Sequence, residues 1–488
     1  MNSKRFLAFD FGASSGRAMI AELKNGKIEM KEIHRFANDP VQVGERLSWD
    51  ILRLFHEIKQ GIVLAVQDGG FDAIGIDTWG VDFGLIDAHG ELIGNPANYR
   101  DIRTEGIPEE VYKTVSEQEI YSKAGIQKMN FNTLYQLYYL AKNRPATLAQ
   151  AETFLMIPDL FAYFLTGKKR LEYTNASTTN MLDAKTKKIN TEVLDKLGIK
   201  SDIFPEMIFP GEVYGNLLPE ICDELHCESV PVIAVPTHDT ASAVCAVPTT
   251  NKDYAYISCG TWSLLGTVID EPILSDESRQ IGFTNEGAYD GKIRYLRNIM
   301  GLWLIQQSRA EWKRQGLNVS FDEMENSARA AEAFKCFVNP DAPDFVAPGN
   351  MPKRVTEFCK KTGQFVPESM GEILRCIYQS LAMKYRYAVE GMEQITGKKF
   401  ACIHMIGGGI KDKLLCQMTA DACGKRVIAG PVEATVTGNI VTQMMAFDLI
   451  ENDADAKKII IESTDIATFE PTDTDKWEQH FEDYKKVL

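Results

Sequence analysis

Phe6-Leu7-Ala8-Phe9-Asp10-Phe11-Gly12-Ala13-Ser14-Ser15-Gly16-Arg17-Ala18-Met19-Ile20 reads as a strand (Phe6 to Asp10), a tight turn (Phe11 to Gly16) and a return strand (Arg17 to Ile20). Glycines and small hydroxyl residues in the turn let backbone amides approach an anion closely, and the serines add donors. The same composition also suits an ordinary hairpin turn. Asp10 argues for the first reading. It closes an apolar strand and faces the turn, and a carboxylate beside a phosphate cradle repels the anion unless a divalent cation lies between them.

The order recurs in the second half of the chain. Tyr254 to Ser258 is a strand, Cys259-Gly260-Thr261-Trp262-Ser263 a small-residue turn, and Leu264 to Val268 a return strand. In the first half an amphipathic helix of about Trp49 to Gln67, with Ile51, Leu54, Phe55, Ile58 and Ile62 on one face, leads to the strand Ala73 to Asp77. In the second half a helix of about Met370 to Ile395 leads to the strand Ala401 to Ile406 and the turn Gly407-Gly408-Gly409. Chance likeness of two hairpins is the alternative, since hairpins are common. If the series is a true duplication, two similar α/β halves face each other across a cleft, with both anion-binding turns directed at one nucleotide triphosphate.

Two stretches add chemistry to that frame. Thr78-Trp79-Gly80-Val81-Asp82-Phe83-Gly84 gathers an indole, carboxylates and glycines at a strand's end, which suits a polyhydroxyl ligand; Trp79 as core and Asp77 as a turn former is the plainer reading. Near the midpoint, Val232 to Val235 delivers Pro236-Thr237-His238-Asp239-Thr240-Ala241-Ser242-Ala243, a lone carboxylate between a histidine and hydroxyl residues. Asp239 reads as a placed acid/base group or as the cap of the helix that follows. Arg100 and Arg103 read as partners for acidic neighbours. Asn298 to Gln306 reads as the start of a helix with Asn298 and Gln306 turned to a ligand, and Gly430 to Asn439 as the start of the last core helix.

The sequence divides into 1–245 with an insertion of about 85–230, then 246–452, then an acidic tail 453–488 in which Lys476 to Leu488 docks as a surface helix. With 44% apolar and 25% charged residues the chain is globular, and its net charge of -15 without a basic run argues against nucleic acid or an anionic membrane as partner. No apolar run is long enough for a membrane span or a signal segment. Ten scattered cysteines fit a reducing cytoplasm, and Cys222 and Cys227 lack the second pair that a zinc site needs.

Asp10 to Arg17, Gly75 to Asp82, Tyr99 to Thr104, Thr237 to Ala243, Ser258 to Ser263, Asn298 to Leu304, Gly407 to Gly409 and Gly430 to Thr435 together resemble the FGGY carbohydrate kinases, in order and over nearly the whole chain. The resemblance implies an actin-like ATPase (ribonuclease-H-like) fold and ATP with Mg²⁺ as cofactors. It further implies transfer of the γ-phosphoryl to O1 of L-rhamnulose, with fuculose or xylulose as the alternative sugars. It makes Asp239 the proton acceptor, with His238, Thr240, Gly80, Asn298, Trp79 and Asp82 at the sugar. Ala13, Ser14, Ser15, Gly16, Arg17, Thr261, Gln306 and Gly408 fall at the nucleotide, and Asp10 near the metal, in part through water. Where the family commonly has Gln-Asn after the glycine triplet, this chain has Ile410-Lys411-Asp412-Lys413, which leaves the roles of Lys411 and Asp412 open. Apart from the resemblance, Cys359 and Cys376 could pair in the fold, although reduced thiols are the default. A non-catalytic actin-like ATPase or sugar sensor would not need Asp239, so an enzyme is expected, as a monomer or small homo-oligomer.

Overall fold

A computed structural model describes residues 4–12 and 14–488. Ala13, expected at the nucleotide, lies outside the described residues. The chain forms two compact units. The first comprises 1–250, 268–295 and 434–463, and the second 251–267, 296–433 and 464–488. The segment 434–463 thus returns to the first unit.

The sheet of the first unit has the strands β1 (Arg5–Phe11), β2 (Ser15–Lys24), β3 (Lys27–Ala37), β4 (Ala73–Thr78), β5 (Val213–Asn216) and β6 (Pro231–Ile233), in the order β5-β6-β4-β1-β2-β3. β1 runs antiparallel to β2 and parallel to β4, β4 is parallel to β6, and β5 closes the edge antiparallel. Side chains alternate along β1. Leu7, Phe9 and Phe11 pack with Ile51, Leu54, Ile58 and Ile62 of the Ile51–Gln67 helix. Phe6 and Ala8 face the opposite way, onto Val436, Ile440 and Met444 of the Ala434–Ala446 helix. Asp10 continues the second series. On β4, Ile74 and Ile76 join the first face, so Asp77 shares the second with Asp10. The inserted region has its own core, from Phe83 and Val111 to Leu194 and Ile203.

The second unit repeats the arrangement. β7 (Tyr254–Cys259) is antiparallel to β8 (Trp262–Ile269) and parallel to β9 (Cys402–Ile406); β10 (Arg426–Ala429) follows parallel and β11 (Ala467–Phe469) closes the edge antiparallel. Each unit thus has a hairpin, then parallel strands, then an antiparallel edge. The second sheet has seven strands to the first's six, with Ile293–Met300 and then Thr284–Gly287 beyond β8, and chance likeness of two hairpins does not account for the shared order of the rest. The tail is not merely polar. Ala456, Lys457 and Ile460 of the Asp453–Ser463 helix are buried, as are Trp477, Phe481 and Tyr484 of the Thr474–Lys485 helix.

The hairpin turns are shorter than the sequence suggested. Phe11 pairs with Gly16 and Gly12 N–H donates to Ser15 O at 2.9 Å, so Ser15 and Gly16 already belong to β2. A Cβ on Gly16 would lie 2.2 Å from the Phe36 ring, so this glycine exists to admit an aromatic from β3. Cys259 pairs with Ser263, which leaves Gly260 to Trp262 to turn the second hairpin. A second correction concerns Asn298. It sits in the strand Ile293–Met300, and the helix begins only at Trp303. The break is steric, because a Cβ at Gly301 would meet Ser263 Oγ at 2.5 Å and the Trp262 carbonyl carbon at 2.7 Å.

Candidate functional site

In the first unit, three acids gather at the carboxyl ends of parallel strands. Asp10 on β1 stands in register with Asp77 on β4, and Thr78 bridges to His238 just beyond β6, which puts Asp239 next in line. The carboxyl end of a parallel sheet is where α/β folds bind ligands, since the chain leaves each strand there in a loop free to carry chemistry. Arg17 grips Asp10 Oδ2 through Nε at 3.0 Å and Nη2 at 2.8 Å. Asp77 is fully buried and accepts from Asn439 Nδ2 at 2.6 Å, while its Oδ1 has no partner. Burial, and then the charge of Asp10, push the Asp77 carboxyl well above the usual carboxylate range. Gly75 makes the approach possible, because a Cβ there would sit 2.4 Å from Asn439 Oδ1.

Asp239 opens a seven-residue helix, Asp239–Cys245, whose N-cap position belongs to His238 without a side-chain cap bond. The carboxylate keeps 32% exposure and takes hydrogen bonds from Thr240 N at 2.6 Å and Thr240 Oγ1 at 3.2 Å. The surrounding protein pushes its carboxyl upward; His238 opposes that shift and Asp10 adds to it. His238 is oriented from behind. Arg294, fully buried, bonds Glu286 Oε2 and His238 Nδ1 at 3.1 Å each and donates through Nε to Gly287 O at 2.8 Å. A guanidinium only donates, so Nδ1 accepts, and the neutral ring carries its hydrogen on Nε2, 3.4 Å from Asp239 Oδ1. The strand leading to Asp239 is held by Glu172 of the inserted region. That one buried carboxylate accepts from Thr237 N and Oγ1, Thr174 N and Oγ1, and Asn175 N.

The indole cluster is built inward. Asp82 is fully buried and accepts from Trp49 Nε1 at 2.7 Å, Trp79 Nε1 and Gln136 Nε2 at 3.0 Å each, and Tyr99 N at 3.1 Å. Its carboxylate therefore fixes two tryptophans, tilted 33° to each other with centroids 4.1 Å apart, rather than reaching out to a hydroxyl. Burial raises the Asp82 carboxyl to about 6 against those four donors, Trp49 foremost. Gly80 is buried beside Thr178, and Val81 takes φ 66°, a strained value for a β-branched residue. Thr178 Oγ1 accepts from Val81 N, and Thr133 Oγ1 donates to Val81 O at 2.6 Å, which holds that conformation. Arg103 pairs with Asp101 at 2.9 Å, as its acidic setting implied.

The second unit has a different assembly. Thr261, in the β7–β8 turn, accepts at its carbonyl from Gly301 N and Trp303 N, and its Oγ1 stands 3.4 Å from Gln306 Oε1. Gly409 packs against Cys259, where a Cβ would come within 2.5 Å of Sγ. Gly407 takes φ 87°, and Gly408 is exposed with open space where a Cβ would be. Lys411 is exposed, whereas Asp412 caps the Lys413–Cys423 helix and accepts from Tyr378 Oη at 2.5 Å. Asp412 is thereby committed to structure.

Asp10, Arg17, Asp239, His238 and Thr240 thus gather in the first unit, and Thr261, Gln306 and Gly408 in the second, where Asn298 also lies. Ser14 is exposed at its turn and Ser15 half-buried. Sequence reasoning missed Glu172, Glu286, Arg294 and Asn439. Only Glu172, an acid three residues before Asn175 in a polar run, left a local signal.

Comparison with known proteins follows the two units. Residues 5–245 match the N-terminal domain of the FGGY family of carbohydrate kinases, and 255–447 its C-terminal domain. A rhamnulokinase of Bacteroides thetaiotaomicron is 40% identical over 99% of both chains, and one of Oceanobacillus iheyensis 43% identical over 95% of this chain and 97% of its own. Among solved structures, a gluconate kinase of Lactobacillus acidophilus superposes with a TM-score of 0.83 at 18% identity, covering 100% of this chain and 98% of its own. Plasmodium falciparum glycerol kinase with ADP reaches 0.80 at 16%, covering 99% and 97%.

Proposed function

The chain belongs to the FGGY family of carbohydrate kinases, and from that premise we propose that it transfers the γ-phosphoryl of ATP to O1 of L-rhamnulose, giving L-rhamnulose 1-phosphate and ADP. The sugar is carried over from the rhamnulokinases that it resembles along nearly its whole length. The observation that carries the chemistry is Asp239, an accessible carboxylate held by Thr240 and flanked by a histidine whose Nε2–H faces it. Phosphoryl transfer passes through a loose transition state, so the protein chiefly aligns the hydroxyl and balances charge. Asp239 orients the O1 hydroxyl and accepts its proton late, and its raised pKa makes it a better base than an exposed aspartate. Arg294, itself held by Glu286, donates to His238 Nδ1 and so favours the tautomer that points Nε2–H at Asp239. Gly80 and the Trp79–Asp82 cluster are the first unit's candidates for the sugar, Asp82 acting through the indoles that it anchors, and Asn298 is the second unit's.

Thr261, Gln306 and the open backbone at Gly408 are the second unit's candidates for the nucleotide; Ser14, Ser15 and Arg17 are the first unit's candidates for phosphate. Asp10 and Asp77 suit Mg²⁺, because Arg17 pairs with Asp10 alone while the adjacent buried Asp77 keeps an Oδ1 without a partner. Asp10 would hold the ion, which would supply charge neutralisation for the phosphates. A coupled ADP-release assay across a panel of ketoses tests the reading. L-rhamnulose should give the highest kcat/KM; a preference for fuculose or xylulose would replace the sugar, and no activity on any ketose would overturn it.

A further inference from the structure

The second unit holds a feature that the kinase reaction leaves unused. Cys336, Cys359 and Cys376 come from three separate segments, are all buried, and bring their Sγ atoms within 4.8 Å of one another. Cys359 lies in the last turn of the Met351–Lys361 helix and Cys376 in the second turn of the Met370–Thr396 helix. Cys336 lies in an extended stretch fastened to the same helix, where Phe334 N donates to Gln379 Oε1 at 2.8 Å and Val338 N to Ser380 Oγ at 2.9 Å. Beside the sulfurs is a cavity of about 30 Å³, room for one water, lined by Cys336, Cys376, Arg375 and Gln379 among others.

Two donors at this cavity have no acceptor: Arg375 Nε and Gln379 Nε2, the latter on a side chain only 1% exposed. An orphaned buried N–H is costly, so a site that keeps two of them beside three sulfurs calls for an acceptor. Metal-bound thiolates and a metal-bound water are such acceptors. A tetrahedral zinc with Zn–S near 2.3 Å sets its sulfurs roughly 3.8 Å apart, a contraction the cluster can make by sub-ångström side-chain shifts. We propose that Cys336, Cys359 and Cys376 form a trithiolate site for a zinc-class divalent cation, with a water in the adjoining cavity as fourth ligand and Arg375 and Gln379 donating to the ligand shell. Each thiol gives up its proton to solvent on binding, three per ion; the three thiolates and the dication leave one net negative charge, and Arg375 lines the adjoining cavity with Lys335, Glu332 and Glu372. The ion ties two helices and a loop together. It braces the Met370–Thr396 helix two residues from Tyr378, whose hydroxyl holds Asp412 at the end of the glycine turn.

The test uses the full chain, reduced and freed of metal with a chelator. Titration with Co²⁺ should give one equivalent bound with a sulfur-to-cobalt charge-transfer band, displaced by Zn²⁺ and lost in Cys336→Ser and in Cys376→Ser, while a Cys222→Ser/Cys227→Ser protein keeps it. Should either serine variant fold poorly, alkylation mapped by peptide in the wild-type chain decides: one equivalent of Zn²⁺ should slow labelling of these three cysteines at least tenfold and leave Cys222 and Cys227 unaffected. A folded wild-type protein with no band and no protection, or one recovered metal-free with a Cys359–Cys376 disulfide, overturns the proposal.

Discussion

The two hairpins make an informative pair. β1 ends with Asp10 in register with Asp77 of the neighbouring parallel strand; β7 ends with Ser258 in register with Ile406. The scaffolds share the hairpin, the parallel strands and the antiparallel edge, yet one presents carboxylates at its strand ends and the other serine, threonine and glycine. Sheet topology places loops, and the residues at the strand ends decide whether those loops do acid/base chemistry or cradle a ligand with backbone. The acids of the first unit need costly support, namely Arg17 on Asp10, Asn439 on Asp77, and the Arg294–Glu286 pair behind His238. The glycine turn of the second needs a left-handed Gly407, close packing of Gly409 on Cys259 and open space at Gly408.

The sharpest way to break this contrast is Asp239→Asn, which should fold and bind both substrates but lose at least about 10²-fold in kcat. Steady-state kinetics with an ATP-binding control would show it, and near wild-type turnover would remove Asp239 from the chemistry. Next in size is a pH effect at Asp82. Its folded pKa of about 6 lies above its ordinary value of 3.8, so between those pH values the folded state holds a proton that the unfolded state has lost. Stability therefore falls as pH rises from about 4 to 6, by roughly 3 kcal/mol, and flattens above. Denaturant melts should show the difference between Asp82→Asn and wild type changing across that window; a constant offset would mean that Asp82 is not perturbed.

The glycines separate packing from ligand approach. Gly16→Ala drives a methyl into the Phe36 ring and should cost about 1–3 kcal/mol in a denaturant melt. Gly408→Ala meets nothing, so stability should hold within ~0.5 kcal/mol while KM for ATP rises. Equal stability losses in the two variants would erase the distinction drawn between them.

Much of this was legible because it is local. Strand alternation and the repeated hairpin gave the hairpin and the parallel strand beside it in each sheet, and the Ile51–Gln67 helix showed its stripe at 51, 54, 58 and 62. Where the sequence misled, a distant neighbour decided. Gly16 looks like a phosphate glycine until Phe36 is seen above it, and Asn298 looks helical until the Trp262–Ser263 backbone forces Gly301 to break the chain. Asp82 looks like a sugar ligand until four donors close on it.

The sequence by itself determined the duplicated α/β frame, the family, and Asp239 as the carboxylate of interest, because periodicity and motif spacing are written in neighbouring residues. Tertiary structure alone decided that Asp77 is sealed with an orphan oxygen, that Arg294 sets the tautomer of His238 from 56 residues away, and that Cys336, Cys359 and Cys376 meet. Burial, orphaned donors and tautomer choice are properties of what surrounds an atom, and most of what surrounds these atoms comes from far along the chain.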